Sequence, residues 1–326
     1  MAAHDRKAVI VGISGCSSSG KTTLARLLRD IFPNTFILHE DDFYKPDKDI
    51  PVRADGLADW DCPEALSLPD MQKALAYIRA HGVLPVSHNP YLSHRTDHGG
   101  RRRRRVVPQS SSSPSAAADA AATDATATLA AGAGVPAATA PAPTPASLTP
   151  SQSELVSKED QNSVGPCPVS DEQIAAARAK VQAWLQPGQP GHVLLARGTP
   201  TICLLDGFLL YGPVMQPVMD LLDVRLFLRV SRAQATHRRH ARDGYVTLEG
   251  FWQDPPGYMD KVVWPNYVAA HAWLFADSDV EGRPAPEALQ ANQILTQVDR
   301  GNDVDMATTL AWAVDTLLEK LEHDYL

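Results

Sequence analysis

The chain has 326 residues, a formal net charge of −8 and 44% hydrophobic residues. That is enough apolar material for one large or two ordinary domains, and the acidic balance excludes a protein that wraps nucleic acid over its whole surface, which needs clustered Lys and Arg. No run of eighteen apolar residues and no signal-type apolar region is present, and Cys16, Cys62, Cys167 and Cys203 lack metal-ligand spacing. The expectation is a cytoplasmic protein with reduced thiols, nuclear entry being the alternative.

The run Ala8-Val9-Ile10-Val11-Gly12-Ile13 is apolar and β-branched and predicts a buried strand, while Leu24, Leu27, Leu28 and Ile31 share one face of a helix that stops before Pro33. Between them, Gly15-Cys16-Ser17-Ser18-Ser19-Gly20-Lys21-Thr22 fits G-x-x-x-x-G-K-S/T at every fixed position. Glycines let a backbone bend round phosphate oxygens, loop and helix N–H groups point at the anion, Lys21 adds a mobile positive charge and Thr22 offers a hydroxyl to Mg²⁺. Gly15, Ser17, Ser18, Ser19, Gly20, Lys21, Thr22 and Thr23 are therefore assigned to nucleotide phosphate. The bland alternative, a Gly/Ser loop matching by chance, is opposed by the flanking strand and helix.

A second strand is predicted at Thr35 to His39, followed by Asp41 and Asp42 at the carboxyl edge where open α/β sheets bind ligands. A carboxylate there orients and deprotonates an attacking hydroxyl and faces the Mg²⁺ shell, which selects Asp41; a helix cap or surface turn is the competing reading. No aromatic residue lies between Tyr91 and Trp184, and 111–150 is largely Ala, Thr, Ser and Pro. Such a segment cannot offset its ordering entropy, so 95–168 is expected to be a disordered low-complexity insertion splitting one domain made of 1–94 and 169–326. Pro136, Pro141, Pro143 and Pro145 oppose a poly-alanine helix. Arg101 to Arg105 read as a solvated block, with nuclear targeting or RNA contact as alternatives, and His88, His94 and His98 lack partner carboxylates at fixed spacing for a metal.

Order resumes at Ser170, which with Gln173 makes a capping pair ahead of the apolar stripe Ile174, Ala177, Val181, Trp184 and Leu185. The strand Thr201 to Leu205 runs into Asp206, an acidic strand-end position suited to holding Mg²⁺ through water, or else a simple turn residue. After a strand at Val224 to Val230, Ser231 and Gln234 cap a helix carrying Arg238, Arg239 and Arg242 up to Gly244. Arg238 and Arg242 are four apart and are expected on one face of a lid helix that closes on ATP; a solvated basic helix end is the alternative. Leu310, Ala313, Val314, Leu317, Leu318 and Leu321 form a closing amphipathic helix. The alternation predicts a three-layer α/β fold with a parallel sheet covered on both faces.

Several stretches together resemble the nicotinamide riboside kinase family, a branch of the uridine kinase-like P-loop kinases. They are Gly12 through Thr23, His39-Glu40-Asp41-Asp42-Phe43-Tyr44-Lys45-Pro46, Trp60-Asp61-Cys62-Pro63-Glu64-Ala65-Leu66, Asp206-Gly207-Phe208-Leu209-Leu210, and Pro256-Gly257-Tyr258-Met259-Asp260 with Val263-Trp264-Pro265. The resemblance implies a P-loop NTPase fold of the nucleoside kinase type. The activity it implies is ATP- and Mg²⁺-dependent phosphorylation of the ribose 5′-hydroxyl of nicotinamide riboside and nicotinic acid riboside.

Residue by residue, the resemblance implies Lys21 and Thr22 on phosphate and metal, Asp41 as proton acceptor, and Asp41 and Asp206 beside Thr22 in the metal shell. It further implies a substrate set of Asp41, Asp42, Phe43, Tyr44, Trp60, Asp61, Arg239, Tyr245 and Asp254, with Asp61 and Arg239 on the ribose hydroxyls and Trp60 and Tyr245 on either side of the pyridine ring. Arg238 and Arg242 would serve ATP. A permanent pyridinium charge between aromatic faces gains an attraction, ~1–2 kcal/mol when desolvated, that neutral uracil lacks. Human-type members carry Glu where this chain has Asp206, and the lid segment is longer here. Uridine/cytidine kinase is the nearby alternative. A nucleotide-dependent switch, against which the lack of an N-K-x-D stretch counts in its GTP form, and an interaction protein built on the arginine-rich insertion are alternatives of other classes.

Overall fold

A computed structural model describes residues 6–85, 167–195, 200–242, 244–246 and 251–325. The predicted insertion, with Arg101 to Arg105 and the three histidines at its entry, lies outside the described residues except for Cys167 and Pro168. Among the described residues no helix is long and apolar enough to cross a membrane.

The strands are β1 (Ala8–Gly15), β2 (Thr35–His39), β3 (Thr201–Gly207), β4 (Val224–Leu228), a hairpin of β5 (Tyr245–Val246) and β6 (Phe251–Trp252), and β7 (Ile294–Leu295). Five of them form one all-parallel sheet in the order β2-β3-β1-β4-β7. The principal helices are α1 (Lys21–Ile31), α2 (Leu68–His81), α3 (Asp171–Trp184), α4 (Arg232–His240), α5 (Trp264–His271) and α6 (Met306–Tyr325).

Strand alternation sends successive side chains to opposite faces, and each face has its own core. Val9, Val11 and Ile13 join Ile202, Leu204, Leu226 and Leu228 under α1, α3 and α6, whereas Ala8 and Ile10 join Cys203, Leu205 and Phe227 under α2 and α5. A sheet covered on both faces explains why β1 and β3 read as near-continuous apolar runs. The predicted stripes land as expected: Leu24, Leu28, Val181, Leu310 and Leu317 are buried, and Ser170 and Gln173 form the reciprocal cap of α3.

Two boundaries differ from expectation. β4 stops at Leu228 rather than Val230 because its partner β1 ends opposite it, at Gly15, where the chain turns into the phosphate loop. α4 ends at His240, so Arg242 lies two residues past the helix rather than on it; its N–H bonds Arg239 O at 3.1 Å, an i→i−3 bond that tightens and ends the last turn.

The core under α5 holds the imidazole of His271, fully buried against the Phe227 ring and with Nδ1 3.0 Å from Tyr267 O. Burial, reinforced by Lys21 and opposed by the Tyr267 carbonyl, pushes its pKa down to about 4. Between there and the ordinary value the unfolded chain takes up a proton that the native state refuses, so this group's contribution to stability rises with pH, by about 2 kcal/mol from pH 5 to 7.5. Glu40, raised to about 8, works in the opposite sense. Urea midpoints of wild type and His271→Phe, compared at both pH values, are expected to differ in slope by that amount; parallel slopes would refute the assignment.

Candidate active site

β1 has neighbours on both sides, and the chain crosses to one of them and then the other, which opens a crevice at its carboxyl end. The phosphate loop fills that end. Gly15 has φ +148° and a Cβ there would lie 2.4 Å from Leu228 O, so only glycine lets the loop pass the neighbouring strand. Gly20, at φ +100°, caps α1 in a left-handed conformation. Lys21 Nζ donates to Gly15 O at 3.0 Å and Cys16 O at 2.9 Å, lying across the loop. Burial lowers its pKa, offset in part by Asp206, Glu40 and Asp41.

The strand register brings the acids to the same edge, since Asp206 pairs laterally with Ile13 and with His39. Asp206 Oδ2 accepts the Thr22 hydroxyl at 2.5 Å, and its Oδ1 lies 2.5 Å from His39 Nδ1. Burial alone would raise its pKa, but His39, Thr22 and Lys21 together hold it below the ordinary range. Asp41 is the second residue of a 3-10 turn (Glu40–Phe43) directly after β2. The residue is exposed at the mouth of the crevice; the protein packed around the carboxyl raises its pKa, to about 6, with Asp206 and Asp42 adding to the shift and His39 and Lys21 opposing it.

Glu40, which carried no expectation, is fully buried; its Oε2 accepts from Phe208 N at 2.6 Å and Leu209 N at 3.2 Å and ties the end of β2 to the end of β3. Among the described residues no group of three or more His, Cys, Asp or Glu makes an all-protein metal cage. Mg²⁺ needs none: it binds through one or two hard oxygen ligands and substrate phosphate, and the adjoining Thr22 hydroxyl and Asp206 carboxylate are such a pair.

On the far side of the loop Arg239, only 7% exposed, is gripped from several directions. It forms a two-pronged pair with Asp254 (Nε–Oδ2 2.6 Å, Nη2–Oδ1 3.0 Å), donates from Nη1 to Ser17 Oγ at 2.6 Å, lies 3.6 Å from Asp61 Oδ1 and stands over the Tyr258 ring. Burial raises the Asp61 pKa, with Arg239 lowering it and Asp254 and Asp59 raising it. Among the described residues one guanidinium faces two close carboxylates here, which leaves this corner acidic.

Beside it the Trp60 ring meets Tyr44 edge-on at 5.3 Å and Trp252 at 5.7 Å, and Trp252 in turn meets Tyr258 at 5.7 Å. The buried Tyr258 hydroxyl accepts from Trp60 N and donates to Ala58 O, so the P-G-Y stretch holds the Trp60 loop in place. Trp252 Nε1 donates to Asp254 Oδ1 at 3.0 Å.

On the other side of the loop a cavity of about 740 Å³ runs from Ser18, Ser19, Gly20, Thr22 and Thr23 past Arg238 and Arg242 to Thr296, Gln297 and Met306. Cys167 and Pro168, expected in the insertion, line its wall as well.

The fold thus gathers the expected loop residues, Asp41, Asp206, Tyr44, Trp60, Asp61, Arg239 and Asp254 around one crevice, with Arg238 and Arg242 on the cavity beside it. Asp42, half-buried, follows Asp41 in the same turn. Phe43 does not join them. It is 3% exposed and packs in the core with Leu38 and Met71, because the 3-10 turn points the one apolar residue after three acids inward. Tyr245 lies on β5 opposite Trp252, and its side chain is outside the described residues. Trp252 and the buried Glu40 were missed. Trp252 sits two residues before Asp254, a position that could have marked it.

No protein-family model matches the chain. Among curated proteins it is 31% identical over 317 residues to the nicotinamide riboside kinase of Schizosaccharomyces pombe, covering 97% of this chain and 99% of that one. It is 28% identical over 313 residues to the nicotinamide riboside kinase of Eremothecium gossypii, covering 96% and 93%. With human nicotinamide riboside kinase 1 it shares 41% identity over 70 residues, 22% of this chain and 35% of that protein.

Proposed function

The chain belongs to the nicotinamide riboside kinase family, and on that premise we propose that it moves the γ-phosphoryl of ATP to the ribose 5′-hydroxyl of nicotinamide riboside, and of nicotinic acid riboside, to give the mononucleotide. One observation carries the choice of substrate: an aromatic cluster around Trp60 stands beside an acidic corner, Asp61 and Asp254 against the single Arg239, and both abut the phosphate loop. A flat cation satisfies both halves of such a pocket, whereas a neutral pyrimidine uses only one.

In this reading the triphosphate lies in the loop and the 740 Å³ cavity, with Lys21, Arg238 and Arg242 toward its charge. Asp61 and Arg239 hold the ribose hydroxyls, and Asp41 accepts the 5′-hydroxyl proton as the oxygen attacks. Thr22 and Asp206 would hold Mg²⁺, with Asp41 nearby, and the ion would neutralise charge on the phosphates. The pyridinium stacks on Trp60. A ring held between two flat side chains needs them roughly 7 Å apart, two contact distances, so Trp252 at 5.7 Å and its hairpin yield when the riboside enters.

Turnover of nicotinamide riboside, nicotinic acid riboside, uridine and cytidine with ATP tests this. The cation attraction predicts kcat/KM for nicotinamide riboside about tenfold or more above uridine, and a marked preference for uridine would overturn the reading. We further propose that 1–94 and 169–326 form the whole kinase domain. Deleting 101–165 is then expected to leave kcat/KM within about threefold, and its loss with the fold intact would contradict the division.

A further inference from the structure

Arg239 belongs to two compartments at once. Toward the riboside corner it is locked to Asp254 and close to Asp61; toward the nucleotide it holds the Ser17 hydroxyl, a residue of the phosphate loop itself. Asp254 is in turn held by the Trp252 indole N–H. An unbroken chain of hydrogen bonds, Trp252 Nε1–Asp254–Arg239–Ser17 Oγ, therefore runs from the aromatic wall to the loop that grips phosphate, with links of 2.6–3.0 Å.

We infer that Ser17 is a positioning residue, acting through Arg239, that makes the binding of riboside and nucleotide cooperative. The inference rests on the substrate reading above. The physical reason is a shared, already rigid group. Arg239 is held at both ends, so nucleotide that shifts the loop carrying Ser17, or riboside that shifts Asp61, Asp254 and the hairpin, draws the guanidinium and the opposite end of the chain with it. The second substrate then meets a site already drawn toward its bound arrangement. Coupling of this kind is reciprocal, so each substrate tightens the other by the same factor. Ser17 suits the role because its hydroxyl accepts from Arg239 while the loop grips phosphate with backbone N–H groups, a division of labour that glycine or alanine at this position cannot make.

The test is calorimetric titration of nicotinamide riboside into the full chain with Mg²⁺, with and without a non-hydrolysable ATP analogue. In wild type the analogue is expected to tighten riboside binding about tenfold. In Ser17→Ala the ratio is expected to fall to about one, and in Ser17→Thr, which keeps a hydroxyl, to recover. Trp252→Phe, which keeps a ring but removes the indole N–H, is expected to weaken the ratio and serves should Ser17→Ala not fold. A wild-type ratio of one, or an undiminished ratio in Ser17→Ala or in Trp252→Phe, overturns the inference. If nicotinamide riboside fails to bind in either state, the substrate reading falls instead, and the same ratio is measured with whichever nucleoside the enzyme turns over.

Discussion

Asp41→Asn is expected to lower kcat by about a thousandfold while the ATP analogue binds within about tenfold of wild type, as read by steady-state kinetics and calorimetry. The side chain keeps its shape but loses the ability to take a proton, and a positioned general base contributes about 10²–10⁴ to such a step. Its surroundings suit the task. The protein packed around this outward-facing residue and the neighbouring Asp206 and Asp42 push its carboxyl up to about 6, against His39 and Lys21, nearer the working pH than an isolated aspartate, so it is a stronger proton acceptor while still ionised at neutrality. Glu40 sets the direction of the turn: with its carboxyl oxygen anchored on Phe208 N and Leu209 N, the next residue is presented at the open edge between β2 and β3. Nucleotide binding survives because the phosphate grip lies two strands away, on the loop after β1 with β3 between. Turnover near the wild-type rate would show that another group takes the proton.

What the sequence made legible follows from the range of the interactions involved. The phosphate loop could be read from eight consecutive residues because its function is a backbone path, and glycine positions report backbone paths directly, as Gly15 against Leu228 O does. The sheet was legible because β1 and β3 are buried on both faces and so lack any polar alternation. Asp206 stands beside Thr22 for a reason no local pattern states: the β1–β3 register sets Ile13 opposite Asp206. Where expectation failed, a choice between two orientations of a short irregular segment was at stake. Phe43 turns inward and Asp41 outward within one 3-10 turn, and nothing in the spacing says which. Trp252 sits on a strand of two residues, too short for a period, and its meeting with Trp60, 192 positions away, is a product of tertiary packing. The end of α4 before Arg242 is a boundary two residues from its predicted place, the kind of error that local propensity leaves.

Lys21→Ala is the second large effect expected, a fall in kcat/KM for ATP of about a thousandfold with the far-ultraviolet circular dichroism unchanged. Without nucleotide the ammonium satisfies itself on Gly15 O and Cys16 O, both within the loop it serves. Those carbonyls are weaker partners than phosphate oxygens, so arrival of the triphosphate lets Nζ exchange neutral acceptors for charged ones at little cost in motion. The interaction then grows as charge builds on the transferring group, which makes it a transition-state term as well as a binding term. Removing one preorganised donor of this kind costs 10²–10³ in rate, roughly, before the loss of ground-state affinity is added. Burial already lowers the Lys21 pKa, so the folded protein carries this charge at some expense and the variant should not melt earlier. Lys21→Arg is expected to fail nearly as badly, since a planar fork cannot replace a compact ammonium in the tight space under the loop, where the residue is only 9% exposed. Substantial turnover in Lys21→Ala, with nucleotide affinity retained, would mean that the loop binds phosphate through its backbone alone and that the lid arginines carry the charge.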